Sequence, residues 1–174
     1  MSPFKGLIDS AIREFSTKTC VHFKEVSGSY SGDHIRLVGG GGCGSYVGRR
    51  GGGQNVYLGR GCEYVGVIIH EMMHALGVYH EQSRPDRDRY VEILWHNIQP
   101  GKEKNFRKYG HGQLDKLGLP YDTSSIMHYD RYLFSKSQKP TIVARGRPWI
   151  KLGGQLRGSM TSNDAREVNS LFNC

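Results

Sequence analysis

Three polar residues stand inside an otherwise apolar stretch: His70, Glu71 and His74. Histidines four apart sit one turn apart on the same face of a helix, so both imidazoles can reach one metal ion. Glu71 adjoins the first of them, where its carboxylate can reach a water held on that ion. His80 follows six residues after His74. In a continuing helix it would rise about 9 Å and turn to another face. Gly77 stands between the two, and glycine takes the left-handed conformation that ends a helix and turns the chain back. His70, His74 and His80 then make a three-nitrogen set with one coordination position left for water, as a catalytic site requires. The chemistry on offer is metal-assisted hydrolysis, with Glu71 as the proton acceptor.

The elements that must position these residues can be read from periodicity. From Glu63 to Leu76, Tyr64, Val67, Ile68, Met72, Ala75 and Leu76 line one side of a helix and Val65, Ile69 and Met73 another. A helix apolar nearly all round is a buried one. Ser2 to Phe15 reads as an amphipathic helix with Phe4, Leu7, Ile8, Ala11, Ile12 and Phe15 on one face, Ser2 as its cap and Pro3 at the first helical position. Strand-like stretches follow at Val21 and Phe23, Ile35 and Leu37, and Val56 and Leu58. The glycine clusters at 39–44 and 51–53 lack the Gly-Lys-Ser/Thr of a phosphate loop and read as loops passing close to something. After Gly77 the chain is polar and broken by Pro85, Pro100, Gly101, Gly110, Gly112, Gly118 and Pro120. It ends in a third helix capped by Thr161, with Asp164 three residues on and Ala165, Val168, Leu171 and Phe172 directed inward. Strands first and irregular structure later predict an α+β domain in two lobes, about 1–79 and 80–174.

Composition sets the outer limits. At 174 residues the chain is read as one domain. Only 37% of residues are hydrophobic, and no stretch approaches the roughly 20 apolar residues of a membrane helix. The net charge of +8 fits a polyanion, an acidic substrate or mere solubility. Four cysteines fit two disulfides and an oxidising compartment, with three pairings open. The N-terminal residues carry no signal core, so a secreted protein trimmed of its leader is expected.

The segment from His70 to His80 carries the metzincin signature, His-Glu-x-x-His followed by glycine and a third histidine. Its continuation, from Glu81 through Gln82, Ser83, Arg84, Pro85, Asp86, Arg87 and Asp88, resembles the astacin family of zinc endopeptidases. Ser125-Ile126-Met127-His128-Tyr129 is similar to that family's methionine turn, and Cys43 to Arg49 matches a further family stretch. The likeness runs from about Thr19 to Cys174. SYVGRRGGG, RPDRDR and NIQPG resemble the tolloid branch, and HEQSR resembles meprins and hatching enzymes, so the branch stays open.

The resemblance implies a two-lobed fold with a twisted mixed sheet, an active-site helix and a largely irregular C-terminal half ending in a helix. It implies one zinc ion (Zn2+) on His70, His74 and His80, with Glu71 as general base. Tyr129 would ligate the metal at rest and swing away to stabilise the oxyanion, and Met127 would pack beneath the site. Gly77 would turn the chain, and Glu81 would meet the family's buried N-terminus. The implied disulfides are Cys20–Cys174 and Cys43–Cys62. Cys43, Gly44, Ser45 and Tyr46 would pair with an extended substrate, and Arg157 would favour an acidic residue after the cut. His22, His34, His96, His111 and His128 lack partner spacing and are read as ordinary surface or core residues.

The expected partners are protein or peptide substrates of matrix or egg-envelope type, with no specific nucleic acid and a secreted location. Relative to the family, a first strand and a prosegment are expected upstream of residue 1, and Glu81 is expected to lack its partner. Two further readings stand beside this one. The first is an inactive scaffold. The second is a polyanion-binding module using Arg49 and Arg50, the run Arg84–Arg89 and Lys102–Lys108, although aspartates interleave the middle run and point to internal ion pairs.

Overall fold

The computed structural model describes residues 4–110 and 118–174. Ser2, Pro3, His111 and Gly112 lie outside the described residues. The order of elements is α1 (Phe4–Lys18), β1 (His34–Val38), β2 (Cys43–Ser45), β3 (Gly53–Leu58), α2 (Val65–Leu76), β4 (Val91–Ile93), β5 (Ile142–Ala144) and α3 (Ser162–Leu171), with 3-10 turns between α2 and α3. This is a mixed α+β fold.

The first sheet has the order β1-β3-β2. β1 runs parallel to β3 with His34 opposite Gly53, and β2 runs antiparallel to β3 with Ser45 opposite Val56. Strand β2 is therefore an edge strand. The chain entering it passes the end of β3 so closely that a Cβ at Gly59 would overlap the Gly40 carbonyl oxygen, so glycine at 59 is what makes the room. Val21 and Phe23 form no strand. They pack instead on the core, with the Phe23 ring 5.1 Å from that of Phe15; alternation alone does not supply a pairing partner.

One hydrophobic cluster joins α1, β3 and α2 through Phe15, Val56, Ile68, Ile69 and Met72, and reaches across to Met127 and Val168. A second gathers Val91, Phe106, Tyr129 and Ile142. β4 and β5 form a two-stranded antiparallel sheet in this second cluster, with Ile93 opposite Ile142. At three residues each, these strands leave no readable alternation in the sequence. The capping box of α3 forms as expected: the Thr161 hydroxyl accepts from Asp164 N, and the Asp164 carboxylate accepts from Thr161 N. Ala165 and Val168 face inward, but Leu171 and Phe172 are 40% and 47% exposed. Their stripe continues along the helix while the core it faces ends at Val168.

Disulfides join Cys20 to Cys174 and Cys43 to Cys62. The first ties the C-terminus to the end of α1. The second closes β2 onto the segment leading into α2.

Candidate active site

Helix α2 ends where the sequence places its breaker. Gly77 has φ 111°, a left-handed conformation, and its N–H donates to the His74 carbonyl oxygen. Val78 N then closes on Met73 O at 3.0 Å, and the reversed chain delivers His80 beside His70 and His74. The candidate ligand atoms of the three histidines lie within 4.8 Å of one another. His74 Nε2 is 3.1 Å from His80 Nε2, and His80 Nε2 is 3.3 Å from His70 Nε2.

Two of the outer nitrogens are held by backbone. His70 Nδ1 lies 2.8 Å from Ile126 O, and His74 Nδ1 lies 2.8 Å from Val78 O. A carbonyl only accepts, so each of these Nδ1 atoms carries the proton and each Nε2 is left with a bare lone pair. Burial holds all three imidazoles neutral. It lowers His70 to about 3, depresses His74, and takes His80 well below the usual range with help from the neighbouring histidines. Neutral lone pairs crowded to this distance repel unless a cation lies among them. A tetrahedral zinc with bonds of about 2.0–2.1 Å would set its ligands about 3.3 Å apart. The donor set therefore fits a zinc ion.

Glu71 is buried beside this set, and its Oε2 has no hydrogen-bond partner among the described residues. Burial pushes its carboxyl up to about 7. Such an orphan is costly in a purely structural role and is suited to meeting a water in an open site. Tyr129 is also buried, its ring 4.6 Å from that of His80. Its N–H donates to Gln82 Oε1. Burial, with Tyr109 and Glu71 adding to it, raises the phenol above its ordinary range. Met127 lies fully buried in the larger core, and its carbonyl accepts from Glu81 N at 3.0 Å.

Glu81 has partners other than a chain terminus. Arg84 Nη1 donates to its Oε1 at 3.0 Å and Asp122 N donates to the same oxygen at 2.7 Å. Burial still pushes its carboxyl up to about 7, against the pull of Arg84. It lines a small cavity of about 20 Å³ with Asp122, Asp164 and Glu167, roughly the room one water needs.

A cleft of about 190 Å³ opens on the histidines. Ser45, His74, His80, Tyr129, Lys104 and Arg107 are among its lining residues, and no carboxylate lines it among the described residues. Cys43, Gly44 and Ser45 form the edge strand β2 beside it, and Tyr46 follows at 58% exposure beneath the Arg50 guanidinium. Gly48 N donates to His74 O at 2.8 Å, which pins the end of this stretch to α2. Arg157 lies exposed in the 3-10 turn Gln155–Arg157 and does not line the cleft. In the sequence Lys104 and Arg107 belong to the candidate polyanion-binding run Lys102–Lys108 and are not marked as cleft residues. The signal for them was their place just before and after Phe106, whose burial in the second cluster fixes that segment against the site.

The middle basic run is not a surface patch. Arg84 and Arg87 are buried; Arg84 pairs with Glu81 and Asp86, and Arg87 with Asp88 while donating to the carbonyls of Gln82 and Phe106. No helix among the described residues is long and apolar enough to cross a membrane.

The sequence matches the family described as Astacin, a peptidase family, over residues 2–173. Zinc metalloproteinase nas-4 of Caenorhabditis elegans is 42% identical over 170 residues, which is 98% of this chain and 53% of that protein. Meprin A subunit beta of Homo sapiens is 41% identical over 171 residues, 98% of this chain and 24% of its own length. The chain thus spans about half, or less, of these curated relatives. Among solved structures, high choriolytic enzyme 1, a hatching enzyme zinc-protease from Oryzias latipes, superposes with a TM-score of 0.91 at 40% identity, covering 100% of this chain and 84% of that one.

Proposed function

Because the chain belongs to the astacin family, we propose that it is a zinc endopeptidase cutting extended segments of protein substrates. The observation that carries this reading is the convergence of three histidine Nε2 atoms, two of them bared by Nδ1–H bonds to backbone carbonyls, beside a buried carboxylate oxygen with no partner among the described residues. His70, His74 and His80 would hold the metal, with Tyr129 as a further ligand at rest. Zinc, when bound, supplies an acidified water and a polarised carbonyl. Glu71 takes the proton from the attacking water and returns it to the leaving amine. The Tyr129 hydroxyl donates to the developing oxyanion. The free edge of β2, from Cys43 to Ser45 with Tyr46 after it, accepts the substrate as an added antiparallel or parallel strand.

An acidic side chain beside the scissile bond is the preference that fits the cleft. Lys104 and Arg107 supply its positive charge, and Arg157 is a more distant candidate. The two disulfides support a secreted, extracellular location. The likeness to a hatching enzyme supports substrates of matrix or egg-envelope type.

Zinc analysis combined with peptide-library cleavage tests this reading. Wild type should carry one zinc and cut, while Glu71→Gln should keep the zinc and lose cleavage by at least about 100-fold. Equal cleavage by both would overturn the mechanism. A library cut without regard to Asp or Glu would remove the acidic preference alone.

A further inference from the structure

The 3-10 turn at Gln155–Arg157 is wedged between the start of α2 and the segment Ser124–Asp130. A Cβ at Gly66 would overlap the Gln155 carbonyl oxygen. A Cβ at Gly154 would overlap Ser124 O, and one at Gly153 would stand 2.7 Å from His128 O. Three glycines thus let one loop contact both the helix that carries His70 and His74 and the segment that carries Met127 and Tyr129. From this loop the Gln155 side chain reaches inward, and its amide Nε2 lies 2.9 Å from His70 Nδ1.

Two partners therefore meet one atom. Ile126 O, 2.8 Å away, requires a proton on Nδ1. An amide N–H aimed at Nδ1 would instead require a lone pair there, and would move the ring proton onto Nε2, where it blocks a metal. The two ends of a glutamine amide have nearly the same shape and exchange places by a half-turn of the last bond. With its oxygen inward, Gln155 accepts from the same Nδ1–H as Ile126 and reinforces the metal-binding tautomer.

We propose that Gln155 is a positioning residue for the metal site: its amide oxygen fixes the tautomer and orientation of His70 from behind. This rests on the reading of the three histidines as zinc ligands. Removing an outer partner of a metal-bound histidine commonly weakens metal binding by about 10–100-fold. Since Ile126 keeps half of the interaction, the lower end applies here. The turn itself is held by backbone, with Arg157 N donating to Gly154 O at 2.8 Å, so the side chain can be changed with the loop in place.

The test is zinc affinity of the full chain, measured by competition with a chromogenic chelator, for wild type, Gln155→Leu and Gln155→Glu. Gln155→Leu should bind zinc about 10-fold more weakly. Gln155→Glu, which can only accept from Nδ1–H when ionised, should bind at least as tightly as wild type. The visible spectrum of the cobalt-substituted protein should shift in Gln155→Leu and stay near wild type in Gln155→Glu. Equal zinc affinity in wild type and Gln155→Leu overturns the inference. So does equal weakening in both variants, which would mark the loop as structural only. Failure of wild type itself to bind stoichiometric zinc overturns the underlying reading instead.

Discussion

Replacing Gly66 by alanine sets two effects of opposite sign against each other. Gly66 lies in the first turn of α2, where alanine is intrinsically favoured over glycine by about 0.5–1 kcal/mol. Against this, the added methyl would overlap the Gln155 carbonyl oxygen and stand 2.9 Å from its carbon and 3.1 Å from Gly158 N. Optimal carbon contacts lie near 3.5–4.0 Å. All three obstacles are backbone, so no rotamer change relieves them and the loop must move. Overpacking of this kind costs about 1–3 kcal/mol and outweighs the propensity gain. The net loss should be about 1–2 kcal/mol, or a fall in Tm of about 2–8 °C for a chain of this size. Gly6 in α1 is the internal control, since a Cβ there meets nothing within 4 Å. Gly6→Ala should raise stability by a few tenths to about 1 kcal/mol. Thermal melts of both variants decide the sign. The displaced loop should also carry Gln155 away from His70, so Gly66→Ala should weaken zinc binding in wild type and add little in a Gln155→Leu background. A Gly66→Ala protein that melts at or above wild type would refute the steric reasoning.

Glu167 offers a pH dependence with a defined sign. Burial, reinforced by Glu81 and Asp164 and opposed by Arg84, pushes its carboxyl up to about 8. A raised carboxyl penalises the folded state once the unfolded chain ionises. Glu167→Gln should therefore be neutral near pH 4, stabilising by about 1–2 kcal/mol near pH 7.5, and increasingly so between. Urea titrations at the two pH values check it, and a gain confined to low pH would contradict the assignment. The disulfides should differ in worth because they close loops of different length, with sequence separations of 154 and 19. Loop entropy gives about 5 kcal/mol for the first and about 3 kcal/mol for the second. The paired variant Cys20→Ser/Cys174→Ser should thus lose more stability than Cys43→Ser/Cys62→Ser in urea unfolding, and the reverse order would show that strain or residual structure governs them.

What could be read from sequence was what local spacing determines. The apolar run around His70 and Glu71 specifies a buried helix, and Gly77 specifies its end, so the approach of His80 follows from eleven consecutive residues. The α3 cap is equally local, through Thr161 and Asp164. Gln155 was invisible because it meets His70 across 85 positions, and nothing in a solvent-facing loop sequence announces an inward amide. Arg84 answered for Glu81 in the same hidden way. Their closeness in the chain fixes only proximity, while the geometry depends on a turn whose Arg84 N closes on Glu81 O. β4 and β5 were missed because each is specified by its partner some fifty positions away rather than by its own pattern.

The bond between Cys20 and Cys174 makes a covalent ring of residues 20–174. With the proposed activity the protein would be exposed to its own copies at high concentration, and loops are where clips fall. Any single cut between Cys20 and Cys174 opens the ring without releasing a fragment. Both pieces travel together until the bridge is reduced. A once-nicked molecule therefore runs as one band on a non-reducing gel and as two after reduction, and its histidines stay in the same molecule as the turn that faces them. Losing a piece of residues 20–174 takes two cuts, which turns the ordinary one-hit decay of a clipped chain into a two-hit process within the ring.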